Sequence, residues 1–243
     1  VLKFHPSSVG LLMGDAQSID ASLLPPDLLE ISKKARKTDA EKELLQPYKD
    51  MSLSAGAKTY LKAMASEFLF GYHKTVETKY MDKGLMCEDE AIEFLNNLWF
   101  QRYKKNTQRL EDEYLTGECD IWVPGVETID TKVAWDLSTF PLLSEDAHDT
   151  LYQWQGICYM RLYDVPRHRV AFVLLDTPAE LLKPWDQVEL HQASHLPAHM
   201  RVTTITYERD MVLEQKLVTK LKTASNYLAN IVAKINLEHR EAA

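Results

Sequence analysis

The 243-residue chain has only three cysteines, Cys87, Cys119 and Cys158, and no two of them form a CxxC pair. That spacing argues against a disulfide framework or a cysteine-built zinc site and suits a reducing compartment. No apolar run approaches the roughly 20 residues needed to span a bilayer. The opening segment, Val1-Leu2-Lys3-Phe4-His5-Pro6, lacks the apolar stretch of a signal peptide, so a soluble cytoplasmic protein is expected. A basic excess is missing too, the formal net charge being -8. Any nucleic-acid binding must therefore come from local basic patches, from bound metal ions, or from an oligomer that concentrates both.

Apolar residues make up 45% and charged residues 26% of the chain, the balance of a globular protein whose length can bury a sizeable core. Pro25 to Asp50 is polar and reads as a surface helix with loops, Pro25-Pro26 marking one boundary. From about Ser54 to Phe100 the apolar spacing is helical, with Gly84 expected to separate two helices. After Gly117 the pattern changes to strands: Glu118 to Val123, a turn at Pro124-Gly125, then Val126 to Val133. A helix from about Asp146 to Tyr163, strands at Arg169 to Leu175 and Val202 to Tyr207, and a helix from about Asp210 to His239 follow. This order predicts an α/β fold in one domain over 1–243, with a catalytic core at about 54–207.

The chemistry-bearing segment is Asp120, nine intervening residues, then Asp130-Thr131-Lys132. Two carboxylates on adjacent strands suit a hard divalent cation. A lysine beside them can orient a water or neutralise charge that develops on a phosphate. In a strand, Asp130 and Lys132 project from one face. A two-residue hairpin loop would set Asp120 opposite Ile129, facing away from Asp130. A three-residue loop, Pro124-Gly125-Val126, or a bulge sets it opposite Asp130, and that offset is predicted. Tyr152, Gln155 and Tyr159 fall at i, i+3 and i+7 and share a helical face.

Four segments in order resemble a known family: Gly84-Leu85-Met86-Cys87-Glu88-Asp89-Glu90-Ala91, Gly117-Glu118-Cys119-Asp120-Ile121, Ile129-Asp130-Thr131-Lys132, and Tyr152-Gln153-Trp154-Gln155-Gly156-Ile157-Cys158-Tyr159. They are similar to the lambda-exonuclease and YqaJ-like branch of the RecB-related PD-(D/E)XK nucleases. Phe4 to Met13 adds a weaker match to the family's serine-containing entry segment. The resemblance implies a restriction-endonuclease-like core, a central mixed sheet flanked by helices. It implies a Mg²⁺- or Mn²⁺-dependent exonuclease acting on double-stranded DNA ends in phage-type recombination, with 5′ to 3′ the expected direction and the polarity open. Asp120, Asp130 and the Thr131 carbonyl match the metal ligands, and Glu88 joins them directly or through water. Lys132 matches the catalytic lysine, Gln155 and Tyr159 a motif that supports the site and contacts DNA, and Ser7 or Ser8 a residue that holds a 5′-phosphate. Partners implied are a homotrimeric ring and a single-strand annealing protein, in a bacterial cell hosting a phage or prophage.

The departures are Asp130 where glutamate is commoner, and Glu90 two residues after Glu88. On a helix those two project about 200° apart, so only one can face a metal. His191, His195 and His199 are spaced like ligands, but Pro197 interrupts them. Arg102, Lys104, Lys105 and Arg109 read equally as a DNA-facing patch or a solvated face, and Trp122 and Trp135, which flank the hairpin, as core in preference to a wedge or stack on DNA. The alternatives are a RecB-like endonuclease and a non-catalytic DNA-binding module. Three scattered cysteines cannot supply the four-cysteine iron–sulfur cluster of one RecB-like branch.

Overall fold

The computed structural model describes residues 2–75 and 78–241, with side chains in the closing helix described to residue 239. The chain divides into two compact units, one of Val1–Lys74 with Asp210–Ala243 and one of Thr75–Arg209.

The first unit is helical: α1 (Pro6–Val9), α2 (Pro26–Lys33), α3 (Asp39–Met51), α4 (Ala55–Phe70) and, after the second unit, the long closing helix Met211–Glu241. Thr38 and Glu41 form a reciprocal capping box at the start of α3, and the Ser54 hydroxyl caps α4. Leu61 and Ala65 of α4, and Leu217, Leu221 and Leu228 of the closing helix, are buried. Lys220 is buried as well, and its ammonium donates to the Ser52 carbonyl at 2.6 Å. No described helix is long and apolar enough to cross a membrane.

The second unit holds α5 (Lys79–Trp99), a small ribbon of β1 (Leu110–Glu111) and β2 (Thr116–Gly117), then β3 (Ile121–Val123), β4 (Glu127–Val133), α6 (Thr150–Leu162), β5 (Arg167–Val173) and β6 (Val202–Glu208). The sheet order is β3-β4-β5-β6, antiparallel at both outer pairs and parallel at β4–β5. The α6 crossover supplies the length a parallel connection needs. Ile129 on β4, and Ala171 and Val173 on β5, pack with Cys87, Ala91 and Leu95 of α5. The alternating residues of β4 face α6: Gln155 of α6 bonds Asp130, and Gly156 of α6 lies against His168, the partner of Thr128. This is the expected α/β core, a mixed sheet flanked by helices.

Several boundaries differ from the sequence reading: the strand expected at Arg169 to Leu175 runs Arg167–Val173, and Pro25 to Asp50 holds two helices rather than one. Gly84 does not separate helices: it lies inside α5, and the break falls at Gly71, where φ is +67° and caps α4. A left-handed C-cap favours glycine, whereas an ordinary helical position merely tolerates it. Strand β3 begins at Ile121, leaving Asp120 just outside the ladder, and α6 begins at Thr150, where Asp149 accepts the Leu151 N–H. Buried Lys83 closes one end of the sheet layer, its ammonium donating to the carbonyls of Trp135 (2.9 Å) and Leu175 (2.8 Å). Burial lowers its pKa to about 8.

Candidate active site

The β3–β4 hairpin has the three-residue loop. Ile121 pairs with Ile129, Trp122 with Thr128 and Val123 with Glu127. The Val126 N–H donates to the Val123 carbonyl at 2.9 Å, and Gly125 takes φ +70°. Continued by one residue, that register sets Asp120 against Asp130. The Asp120 carboxylate accepts the Thr131 N–H at 2.6 Å and the Thr131 hydroxyl at 2.8 Å, which clamps it to the neighbouring strand. Burial, and then the Asp130 charge, raise the Asp120 pKa to about 7.

Asp130 is buried, and its second oxygen lies against the Lys132 ammonium. Burial works against the lysine's charge, but the Asp130 carboxylate outweighs it and holds Lys132 above its ordinary pKa. The Lys132 ammonium also sits 5.1 Å from the Tyr152 ring centre. On the adjacent turn of α6, Gln155 donates to the other Asp130 oxygen at 3.3 Å. Tyr159 is buried too, and its hydroxyl donates to the Glu118 carbonyl at 2.9 Å. Gln155 and Tyr159 thus brace the carboxylate hairpin from below.

A cavity of about 480 Å³ opens over this cluster, with Glu88, Asp120, Thr131, Lys132 and Tyr152 among its walls. Glu88 rather than Glu90 lines it, but its carboxylate is engaged by Lys105 at 3.0 Å. Among the described residues no three His, Cys, Asp or Glu side chains converge as a metal cage. Two carboxylates do converge, and one buried Asp130 oxygen has no well-aligned hydrogen-bond donor despite the adjacent ammonium. An all-oxygen pair with surplus negative charge fits a hard divalent ion that keeps part of its water shell. Ser7 and Ser8 belong to α1 in the first unit, where Ser7 is exposed and Ser8 half-buried. His191 is buried on Thr177, and Trp135 packs edge-on against it.

Sequence reasoning missed the support behind β4. His168 is fully buried, its Nδ1 bonded to the Thr128 hydroxyl at 2.9 Å, and a Cβ on Gly156 would stand 2.5 Å from its ring. The available signal was a glycine in mid-helix, which costs about 1 kcal/mol against alanine. Burial lowers the His168 pKa from 6.5 to about 4. Between those values the unfolded chain binds the proton and the folded one does not, so stability is lost as pH falls. Denaturant melts from pH 7 to 4 should show wild type losing about 3 kcal/mol more than His168→Asn. Parallel curves would mean that the histidine is not buried neutral.

No protein-family model matches the chain, and no curated protein sequence does. Solved structures do. A phage-related exonuclease from Haemophilus somnus 129PT superposes with a TM-score of 0.79 at 29% identity, over 96% of each chain. The chain is a structural relative of the phage-type exonucleases. An alkaline exonuclease from Laribacter hongkongensis matches with a TM-score of 0.64 at 12% identity, over 99% of this chain and 95% of that one. Its complex with dAMP matches at 0.60 and 14%, over 98% and 97%. These more distant likenesses speak for the exonuclease fold alone. Together the neighbours support a nuclease function.

Proposed function

We propose that this exonuclease-like chain hydrolyses phosphodiester bonds from the ends of double-stranded DNA. The reading rests on one observation: Asp120 and Lys132 line one cavity, with buried Asp130 in register with Asp120 and against the Lys132 ammonium. A Mg²⁺ or Mn²⁺ ion held by Asp120, Asp130 and the Thr131 carbonyl, with Glu88 direct or through water, would polarise the phosphate and activate a water. Lys132 sits where it can orient that water and offset charge developing on the phosphate. Gln155 fixes the Asp130 carboxylate, and Tyr159 fixes the backbone at Glu118, which holds Asp120 in place. The two units act as one nuclease, with the chemistry in Thr75–Arg209. A 5′ to 3′ direction, a 5′-phosphate contact at Ser7 or Ser8, a homotrimeric ring and an annealing-protein partner complete the proposal.

The test is purified protein with linear duplex DNA, 5′-phosphorylated or not, in Mg²⁺ or EDTA, beside Lys132→Ala. Mg²⁺-dependent release of nucleotides, faster from the phosphorylated end and absent in the variant, is expected. Nicking of covalently closed circles would move the assignment to an endonuclease. DNA binding without cleavage in any divalent metal would leave only a binding module.

A further inference from the structure

Helix α5 presents to the same cavity a row of which the metal-site reading uses only Glu88. Tyr80, Gly84 and Glu88 follow at i, i+4 and i+8, with Met81 and Leu85 beside them, and all five line the cavity. Tyr80 is 54% exposed and Leu85 74% exposed, so this apolar wall is open, with the Lys79 ammonium 5.6 Å from the Tyr80 ring centre. Tyr80 is nevertheless held in place, edge-on to the buried Trp135 at 5.6 Å. Gly84 has ordinary helical backbone, and a Cβ there would meet nothing within 4 Å. The protein's own packing therefore gives no reason for a residue that weakens the helix. Glycine is also the residue that lets a ligand approach backbone closely.

We propose that this face of α5 is a platform for a single nucleotide of the DNA end, with the base against the Tyr80 ring and the deoxyribose in the notch at Gly84. That placement sets the adjoining phosphate toward Lys132 and Asp120, which line the same cavity. The occupant follows from the lining: an exposed aromatic ring, a helical glycine and a cation share one cavity. A cavity of about 480 Å³ lies in the range that small ligands fill. The platform rests on the nuclease reading and adds a positioning subsite to it.

The platform can be tested without cleavage. Calorimetry in Mg²⁺ would compare dAMP with 2-deoxyribose 5-phosphate, which lacks the base. Wild type should bind dAMP at least about fivefold more tightly, the scale of one base–aromatic stack. Tyr80→Ala should level the two ligands. Gly84→Ala should weaken both, while its melting temperature rises because alanine favours the helix. Equal affinities in wild type, or no binding of either ligand, would overturn the base platform. Unchanged affinities in Gly84→Ala would overturn the notch, and so would a lowered melting temperature, which would show that the glycine serves the protein's own packing. If the expected ligand pattern holds but linear DNA is not cut, the nuclease reading fails and the platform stands.

Discussion

Replacing Asp120 by asparagine should lower DNA hydrolysis by roughly a thousandfold or more while making the metal-free protein more stable. The two effects have one cause. Half-buried Asp120 and buried Asp130 share a single ammonium, Lys132, so the site carries one uncompensated negative charge. Asparagine removes the surplus carboxylate and leaves the Asp130–Lys132 pair intact. Its carbonyl oxygen can still accept the Thr131 N–H that now binds Asp120. Unfolding in EDTA at pH 8 should show a gain of about 1–3 kcal/mol, the scale on which an unpaired buried charge destabilises. With a ligand oxygen gone, the stabilisation that Mg²⁺ gives wild type should shrink as well. The activity loss reflects the missing metal ligand, worth several kcal/mol at the transition state. A variant that loses activity and stability together would mean that Asp120 holds the fold rather than the reaction.

Gly156→Ala should destabilise the protein by about 3 kcal/mol or more, although alanine is the better helix former. The new Cβ would lie 2.5 Å from Cδ2 and 3.0 Å from Cγ of His168, distances that real side chains do not tolerate. The ring cannot swing aside cheaply: it is fully buried, hydrogen-bonded to Thr128, and packed near Tyr159 with ring centres 5.7 Å apart. The helix must then lift from the sheet, which costs on the scale of overpacked cores. Lifting α6 also carries Gln155 away from Asp130, so cleavage should fall in folded protein too. His168→Ala alone leaves a cavity, but the double variant gives the new methyl space. Its loss of stability should be smaller than the sum of the two single losses by at least about 1 kcal/mol in a double-mutant cycle. Additive losses would place the strain elsewhere.

Much of the site was legible because hairpin chemistry is local. Pro124-Gly125-Val126 allowed the one loop length that sets two acidic residues face to face, and the structure has that loop. The period of α6 likewise placed Tyr152 and Gln155 on one side, where they meet Lys132 and Asp130. The motifs that resemble phage-type exonucleases carried the chemistry further than spacing could, and the structural neighbours agree with them. Glycines were harder. Gly84 and Gly156 look alike in sequence, yet one faces an open cavity and the other a histidine ring. Gly71, given no weight, ends a helix.

By itself the sequence determined the mixed α/β pattern, the hairpin offset and the residue types at the site, since strand alternation, turn length and helical period depend on near neighbours along the chain. Only the tertiary structure decided which contacts those residues make. Lys105 engages Glu88 across 17 positions, Tyr159 supports Glu118 across 41, and His168 reaches Thr128 across 40. The burial that raises Asp120 and lowers His168 is likewise a property of packed elements rather than of chain segments. Contacts of that range form when α5 and α6 close on the two faces of the sheet, and no local pattern encodes which side chains then meet.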